Sequence, residues 1–279
     1  MKIIALIDAS AYSLSVCDYS AWIASRSNAV IDLVHVLPHL PSASATPNLS
    51  GSIGIGARTA LLTELADLDA ENARVAQKRA RLLAEDAKRR VQSADASLEV
   101  HCRLRHGDLV ETVAELESEA DVIVIGKRGE NAQAAPGHLG SNLERIVRAS
   151  HKPVLVVNRE FHPVTHPLIA FDGGKSVIKA VDHLCASQVF GGLDCTLLSV
   201  GEANGLDAAA ARLQNVGYSA SIDRREGVAE DEIASAVTSG HHDLLIMGAY
   251  GHSRIRNLII GSTTSQMIQT SGIPLLLFR

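Results

Sequence analysis

Aromatic residues make up only 3% of the 279-residue chain, with a single tryptophan, Trp22, which leaves little from which to build a base-stacking platform for single-stranded nucleic acid. The core must be aliphatic. Positive charge is not in excess either. Twenty-six Lys plus Arg against 31 Asp plus Glu give a formal net charge of -5, so no global field gathers polyphosphate backbones and general nucleic-acid binding is disfavoured. The four cysteines (Cys17, Cys102, Cys185, Cys195) form no C-x-x-C pair, which fits reduced, buried thiols better than disulfides or a thiolate metal site. Long apolar runs are missing: Leu244–Met247 and Leu275–Phe278 fall far short of the roughly 20 residues of a membrane helix. The N-terminal run Ile3–Ile7 ends at Asp8 without a small-residue cleavage pattern, and is expected to be a first buried strand of a cytoplasmic protein.

What is present is 46% hydrophobic residues, enough for one large core or two of about 140 residues each. Short continuous apolar runs fall at 2–7, 30–37, 98–104, 121–125 and 153–157, and again at 168–171, 194–200, 218–224, 243–247 and 273–278. Helical patterns separate them. Runs of Ile, Val and Leu without polar alternation mean strands buried on both faces, as in a parallel sheet covered by helices. The class is α/β, and the pattern occurs twice.

The two sets also match in sequence. Asp121–Gly126 (DVIVIG) parallels Asp243–Gly248 (DLLIMG), and Lys152-Pro153-Val154 parallels Ile273-Pro274-Leu275, an internal duplication. Asp8 and Asp172 are 164 apart but Gly126 and Gly248 only 122, so the first half carries 42 extra residues, mainly in 38–93. Segment 38–57, rich in Pro, Ser and Gly, reads as a mobile loop. A long charged helix is expected over about 59–93, its basic groups interleaved with Glu85 and Asp86 as on a solvated face. The domain boundary is placed in Asn158–Pro167, giving domains over 1–158 and 166–279.

One motif carries chemistry. In the second half the fourth strand runs into Gly248-Ala249-Tyr250-Gly251, then nine residues, then Gly261-Ser262 at the start of an amphipathic helix with Met267 and Ile268 inward. Glycines at a strand's C-terminal end admit a ligand close to the backbone. A Gly-Ser pair opening a helix offers N–H donors, a hydroxyl and the positive end of the dipole. These are phosphate-binding parts.

Here the sequence resembles the universal stress protein family, specifically tandem members with two such domains in one chain. The resemblance covers essentially the whole length: an Asp ending each half's first strand (Asp8, Asp172), the phrase Gly107-Asp108, and the G-2x-G-9x-G-S/T signature. It implies adenine-nucleotide binding (ATP, ADP or AMP, with or without Mg²⁺) at the C-terminal edge of the sheet. Asp172 would contact the adenosine portion and Val200 would pack on the base. Gly248 and Gly251 would admit ribose and phosphates, while Gly261, Ser262 and Thr263 would donate to phosphate oxygens.

The first half holds Gly126-Lys127-Arg128-Gly129, then ten residues, then Gly140-Ser141, one more than the signature. A second, less complete site is therefore expected at Asp8, Val36, Gly126, Gly129, Gly140 and Ser141, with Lys127 and Arg128 adding positive charge.

Other roles are open to the same residues. Ser141-Asn142-Leu143-Glu144 fits a capping box, Gly261-Ser262 fits an ordinary helix start, and Asp8 and Asp172 fit loop caps. His138 and His252 are read as solvated loop residues. His241-His242 lack a third ligand at metal spacing, and Gly51-Ser52-Ile53-Gly54-Ile55-Gly56 follows no suitable strand for a dinucleotide fingerprint. No Ser-Gly-Gly-x-Asp-Ser loop or His-x-Gly-His motif of the related enzymes occurs.

The expected architecture is two doubly wound domains, each with a five-stranded parallel sheet, and the resemblance implies that they pair through their last strands near 153–157 and 273–278 as a dimer within one chain. That pairing hides two hydrophobic edges. The expected function is a cytoplasmic stress-response protein that binds adenine nucleotide and an unidentified protein partner, with association of two chains left open. A scaffold that has lost its nucleotide, or holds an apolar metabolite, is the alternative. The resemblance allows slow ATP hydrolysis or autophosphorylation, but no positioned general base is evident, so a dedicated catalyst is not expected and enzyme status stays open.

Overall fold

The computed structural model describes residues 1–38, 55–130, 141–187, 189–249 and 261–279. In chain order the first half contains β1 (Lys2–Leu6), α1 (Ser13–Ser27), β2 (Val30–Leu37), α2 (Ile55–Ala94), β3 (Val100–His106), α3 (Leu109–Leu116), β4 (Val122–Gly126), α4 (Ser141–Ala149) and β5 (Val154–Val157). The second half repeats the order with β6 (Pro167–Ala170), α5 (Lys175–Ser187), β7 (Asp194–Val200), α6 (Leu206–Asn215), β8 (Ser219–Arg225), α7 (Ala229–Thr238), β9 (Leu244–Gly248), α8 (Ser262–Thr270) and β10 (Leu275–Phe278).

The strands form one ten-stranded sheet in the order β3-β2-β1-β4-β5-β10-β9-β6-β7-β8. Within each half all pairs are parallel. The exception is the seam, where β5 and β10 run antiparallel with Leu275 opposite Val156, Leu276 opposite Leu155 and Leu277 opposite Val154. The α/β class is as the apolar runs predict, and the pairing of the two halves through their last strands is as the family resemblance and the need to cover two apolar edges imply. All four side chains of β10 are at most 4% exposed, a gross hydrophobic contribution of roughly 6–12 kcal/mol that a bare edge would forfeit.

Burial follows the residue patterns. β1, β4, β5, β9 and β10 are almost continuously buried, whereas the outer strands β3 (VHCRLRH) and β8 (SASIDRR) are only partly so. Their charged side chains guard the two free edges. Two apolar layers sandwich the sheet, and each runs through both halves. One joins Ile3, Leu33, Ile169 and Leu197 with α1, α2, α5 and α6. The other joins Ile4, Ile123, Leu168 and Leu245 with α3, α4, α7 and α8.

The halves are fastened elsewhere too. Arg26 at the end of α1 donates to the carbonyls of Val189 (2.6 Å) and Gly191 (2.9 Å). The Trp22 and Phe190 rings lie 5.6 Å apart. Between β5 and β6, Phe161 packs edge-on against Tyr19 at 4.7 Å, and the Thr165 and His166 amides donate to Asp243.

Two local expectations are corrected. α2 begins at Ile55, inside the stretch read as loop, and Gly56 lies in its first turn. The helix formers from Ala57 onward outweigh a glycine cost of about 1 kcal/mol. The third strand begins at Val100 rather than 98, because Asp95 accepts from the Ser97 amide and hydroxyl and holds 95–98 in a turn. The rest of the expected loop, 39–54, lies outside the described residues.

Candidate functional site

Strand order fixes where a ligand crevice lies. From β1 the chain proceeds outward through β2 and β3, then returns to β4 on the other side of β1; β6, β7, β8 and β9 repeat this. The reversal leaves a gap above the C-terminal ends of β1/β4 and β6/β9, the usual ligand site of an open α/β sheet.

In the second half, Asp172 follows β6, Val200 ends β7 and Gly248 ends β9. Since β6 lies between β9 and β7, the three positions stand side by side on neighbouring strand ends. Asp172 is exposed, and its Oδ1 accepts from the Gly174 amide at 2.8 Å. The turn is tight: Gly173 has φ +72°, and a Cβ there would meet the Asn204 carbonyl oxygen at 2.9 Å. Gly261 is the N-cap of α8 and supplies no side-chain cap. Its amide donates to the Ala249 carbonyl at 3.2 Å, and the Thr264 hydroxyl donates to the Gly248 carbonyl at 3.1 Å, so the N-terminus of α8 is held at the end of β9. Met267 and Ile268 point into the core, 1% and 0% exposed.

The hydroxyls at this helix start already meet an anion of the protein's own. Thr263 Oγ1 donates to Glu230 Oε1 at 2.7 Å, and Ser262 Oγ to the same oxygen at 3.4 Å. The Thr263 hydrogen bond holds the Glu230 carboxyl below its usual range. A carboxylate against two hydroxyls at the positive end of a helix is a favourable arrangement, and it shows that this corner accepts negative oxygen.

The first half is built differently. Asp8 Oδ1 accepts from the Ser10 amide (2.9 Å) and the Ser13 hydroxyl (3.1 Å), while Oδ2 accepts from the Glu130 amide at 3.0 Å. The carboxylate thus ties the β1–α1 turn to the loop after β4. A Cβ on Gly126 would stand 2.5 Å from Tyr12 Cβ, and one on Gly129 3.1 Å from Asp8 Oδ2. Here both glycines make room for neighbouring side chains. Val36 lies near the end of β2, beside His35, whose Nδ1 donates to the Ile7 carbonyl at 2.8 Å. Lys127 turns to the other half and donates to the Ser271 carbonyl at 2.9 Å. Burial pushes its ammonium down to about 8.

The turns before α3 and α7 share a glycine of positive φ, Gly107 at 133° and Gly227 at 135°, but diverge at the next residue. Asp108 caps α3 through the Val110 and Glu111 amides and pairs with Arg145 of α4 at 2.9 Å, whereas Val228 leaves α7 without a side-chain cap. Gly140, Gly251, His138, His252 and the Ser141 side chain lie outside the described residues, so the capping box at Ser141 does too. Glu230, Tyr12 and the Ser10–Ser13 pair escaped the reading of the sequence. Glu230 sits among Asp231 and Glu232 in an acidic first helical turn, and nothing local marks which carboxylate faces α8. Among the described residues no group of three or more His, Cys, Asp or Glu is arranged to hold a metal ion, and no helix is long and apolar enough to cross a membrane.

Comparison with known proteins agrees with this geometry. A model of the universal stress protein family matches residues 1–158 and 192–279. The universal stress protein Slr1230 of Synechocystis is 36% identical over 286 aligned positions, covering 100% of this chain and 99% of that protein. The Mycobacterium tuberculosis universal stress protein Rv1996 is 25% identical over 62% of this chain and 54% of its own length. Among solved structures, a universal stress protein from Archaeoglobus fulgidus superposes with a TM-score of 0.67 at 16% identity, over 99% of this chain and 97% of that one. With the sheet order repeated in both halves and the family match spanning both, the chain belongs to the universal stress protein family as a tandem member.

Proposed function

We propose that this protein binds an adenine nucleotide (ATP, ADP or AMP) at the C-terminal edge of its second half and acts as a stress-response regulator whose partner contacts depend on occupancy. The supporting observation is the corner formed by Gly261, Ser262 and Thr263, where two hydroxyls at a helix N-terminus hold the Glu230 carboxylate. A phosphate oxygen satisfies the same donors. Asp172 would meet the adenosine portion and Val200 the base, with Gly248 and Gly251 leaving room for ribose and phosphates. A Mg²⁺ ion arriving with the nucleotide would take phosphate oxygens and water as ligands. Regulation requires that nucleotide prefer one of two states of the protein. The four free cysteines fit a reducing, cytoplasmic setting.

For the first half a second reading has its own support. Tyr12 fills the space over Gly126, and both Asp8 oxygens already accept hydrogen bonds, so nucleotide there would have to displace protein contacts. Because its loop is also one residue longer than the signature, a site at Asp8, Val36, Gly126, Gly129, Gly140 and Ser141 is the weaker of the two.

Calorimetric titration of ATP with Mg²⁺ into ligand-stripped protein tests both readings through the number of sites per chain. One site, abolished by Gly261→Asp, is the expected result. Aspartate is a good N-cap, so this variant adds a negative charge to the helix start without removing the helix. Two sites would mean the first half binds as well. No binding would leave the scaffold reading.

A further inference from the structure

The 42-residue excess of the first half contains a feature that neither the sheet nor the nucleotide reading uses. α2 is 40 residues long, about 60 Å at 1.5 Å per residue. Only its C-terminal part is built into the fold: Ala80, Ala84, Ala87 and Val91 are buried, whereas no residue from 63 to 79 is. Six large hydrophobic residues are exposed among the described residues, and three of them lie on this helix: Leu68 at 51%, Val75 at 62% and Leu82 at 53%.

Their spacing is seven and seven. Seven residues fall about 20° short of two full turns, so the three side chains form a narrow stripe about 21 Å long. It runs on the side of the helix roughly opposite the buried Ala80, Ala84, Ala87 and Val91, which lie about 150° around from it at 100° per residue. Among the described residues nothing covers this apolar row, and most of its neighbours on the outer side of the helix (Glu64, Glu71, Lys78, Arg79, Asp86) are charged.

Charge along the helix indicates what covers the row. Residues 63–73 hold Glu64, Asp67, Asp69 and Glu71 and no Lys or Arg. Residues 74–90 hold seven basic residues (Arg74, Lys78, Arg79, Arg81, Lys88, Arg89, Arg90) against Glu85 and Asp86. With Arg58 as the one basic residue between Ile55 and Ala73, the helix is net acidic toward one end and net basic toward the other, and so complements its own reverse.

We propose that α2 docks against α2 of a second copy of this chain in an antiparallel pair centred on Val75. Val75 then meets the partner's Val75, and Leu68 meets the partner's Leu82. Glu71 and Lys78 flank the stripe on one side, and the two-fold axis brings Glu71 of each chain beside Lys78 of the other, which gives two equivalent ion pairs. Parallel pairing would set the acidic ends together and the basic ends together, so charge selects the orientation. The contact is small and falls in the weak, reversible class.

Sedimentation velocity on the full chain, over about 1 to 200 μM where such interfaces dissociate, tests the pairing. The mass should rise from 29.6 kDa toward twice that value. Val75→Glu should weaken dimerisation at least about tenfold, with circular dichroism unchanged because the side chain is exposed. Glu71→Lys and Lys78→Glu should each weaken self-association, and an equimolar mixture of the two variants should recover it, since every crossed pair is then opposite in sign. A chain that stays monomeric at the highest concentration would overturn the proposal. So would a Val75→Glu variant that dimerises as tightly as the parent, or a Glu71→Lys/Lys78→Glu mixture no tighter than either alone.

Discussion

Lys127 of the first half donates its ammonium to the Ser271 carbonyl of the second at 2.9 Å. The contact belongs to a reciprocal arrangement across the β5–β10 seam. Asn158, the residue after β5, donates to the Gly272 carbonyl at 2.5 Å, just beyond the end of α8. Arg279, the residue after β10, donates to the Arg148 and Ala149 carbonyls at 3.0 and 3.2 Å, at the end of α4. Each half thus satisfies carbonyls at the C-terminus of the other half's last helix, where donors and positive charge are favoured.

The Lys127 contact carries a pH signature. Its folded-state pKa, lowered by burial to about 8, lies below the unfolded value near 10.4. Below about pH 8 both states are charged and the cost of burying the ammonium is present. Between about 8 and 10.4 the unfolded chain binds more protons, so this group makes stability rise with pH. The difference in unfolding free energy between the parent and Lys127→Met should therefore change across pH 7–10, read from denaturant titrations. Parallel pH profiles for the two proteins would contradict the assignment.

Gly126 is set by Tyr12. Because a Cβ at 126 would lie 2.5 Å from Tyr12 Cβ, Gly126→Ala should destabilise the protein by about 1–3 kcal/mol, the usual cost of overpacking. The clash is with Tyr12 Cβ itself, so Tyr12→Gly should relieve it. A double-mutant cycle by urea unfolding should give a coupling of at least about 0.5 kcal/mol between them. Additive effects would show that another neighbour sets the glycine.

Asp108 caps α3 through two amides and pairs with Arg145, whose hydrogen bond holds the carboxyl below its usual range. Asp108→Ala should cost about 1 kcal/mol at neutral pH, as loss of an N-cap does. A depressed carboxylate pKa gives stability that is present above the unfolded value, about 3.9, and is lost as pH falls through the folded value. The gap between parent and variant melting temperatures should accordingly close on acidification.

Glu230 occupies the donors that nucleotide would need. A carboxylate within 3.4 Å of both Ser262 and Thr263 hydroxyls repels an incoming phosphate, and Glu230→Gln removes that charge while keeping an acceptor in place. At this partly exposed position the relief is on the order of 1 kcal/mol, or about fivefold in affinity. The variant should bind ATP about fivefold more tightly by calorimetry. Adenosine, which carries no phosphate, should bind parent and variant alike, and an equal gain for both ligands would locate the effect elsewhere.

Much of the molecule was legible in its sequence because strand burial leaves a local signature. Continuous runs such as Val122–Ile125 and Leu244–Met247 can be accommodated only inside a covered parallel sheet, and the apolar strand at Leu275–Phe278 requires a partner. Duplication followed from the matching of DVIVIG with DLLIMG. The positions of Asp8, Asp172, Val200, Gly126 and Gly248 at strand ends followed in turn, since each marks where an apolar run stops, with Val36 one residue before the end of its own.

What only the tertiary structure decided is which side chains face one another across long separations. That Tyr12 rather than open space lies over Gly126, that Glu230 rather than Asp231 reaches Thr263, and that Lys127 crosses to a carbonyl 144 residues away depend on how the strands are ordered and how each helix is rotated on the sheet. A hydrophobic period is a property of chain neighbours and survives in the sequence. A contact between distant polar groups is a property of the assembled layers, and no local pattern encodes it.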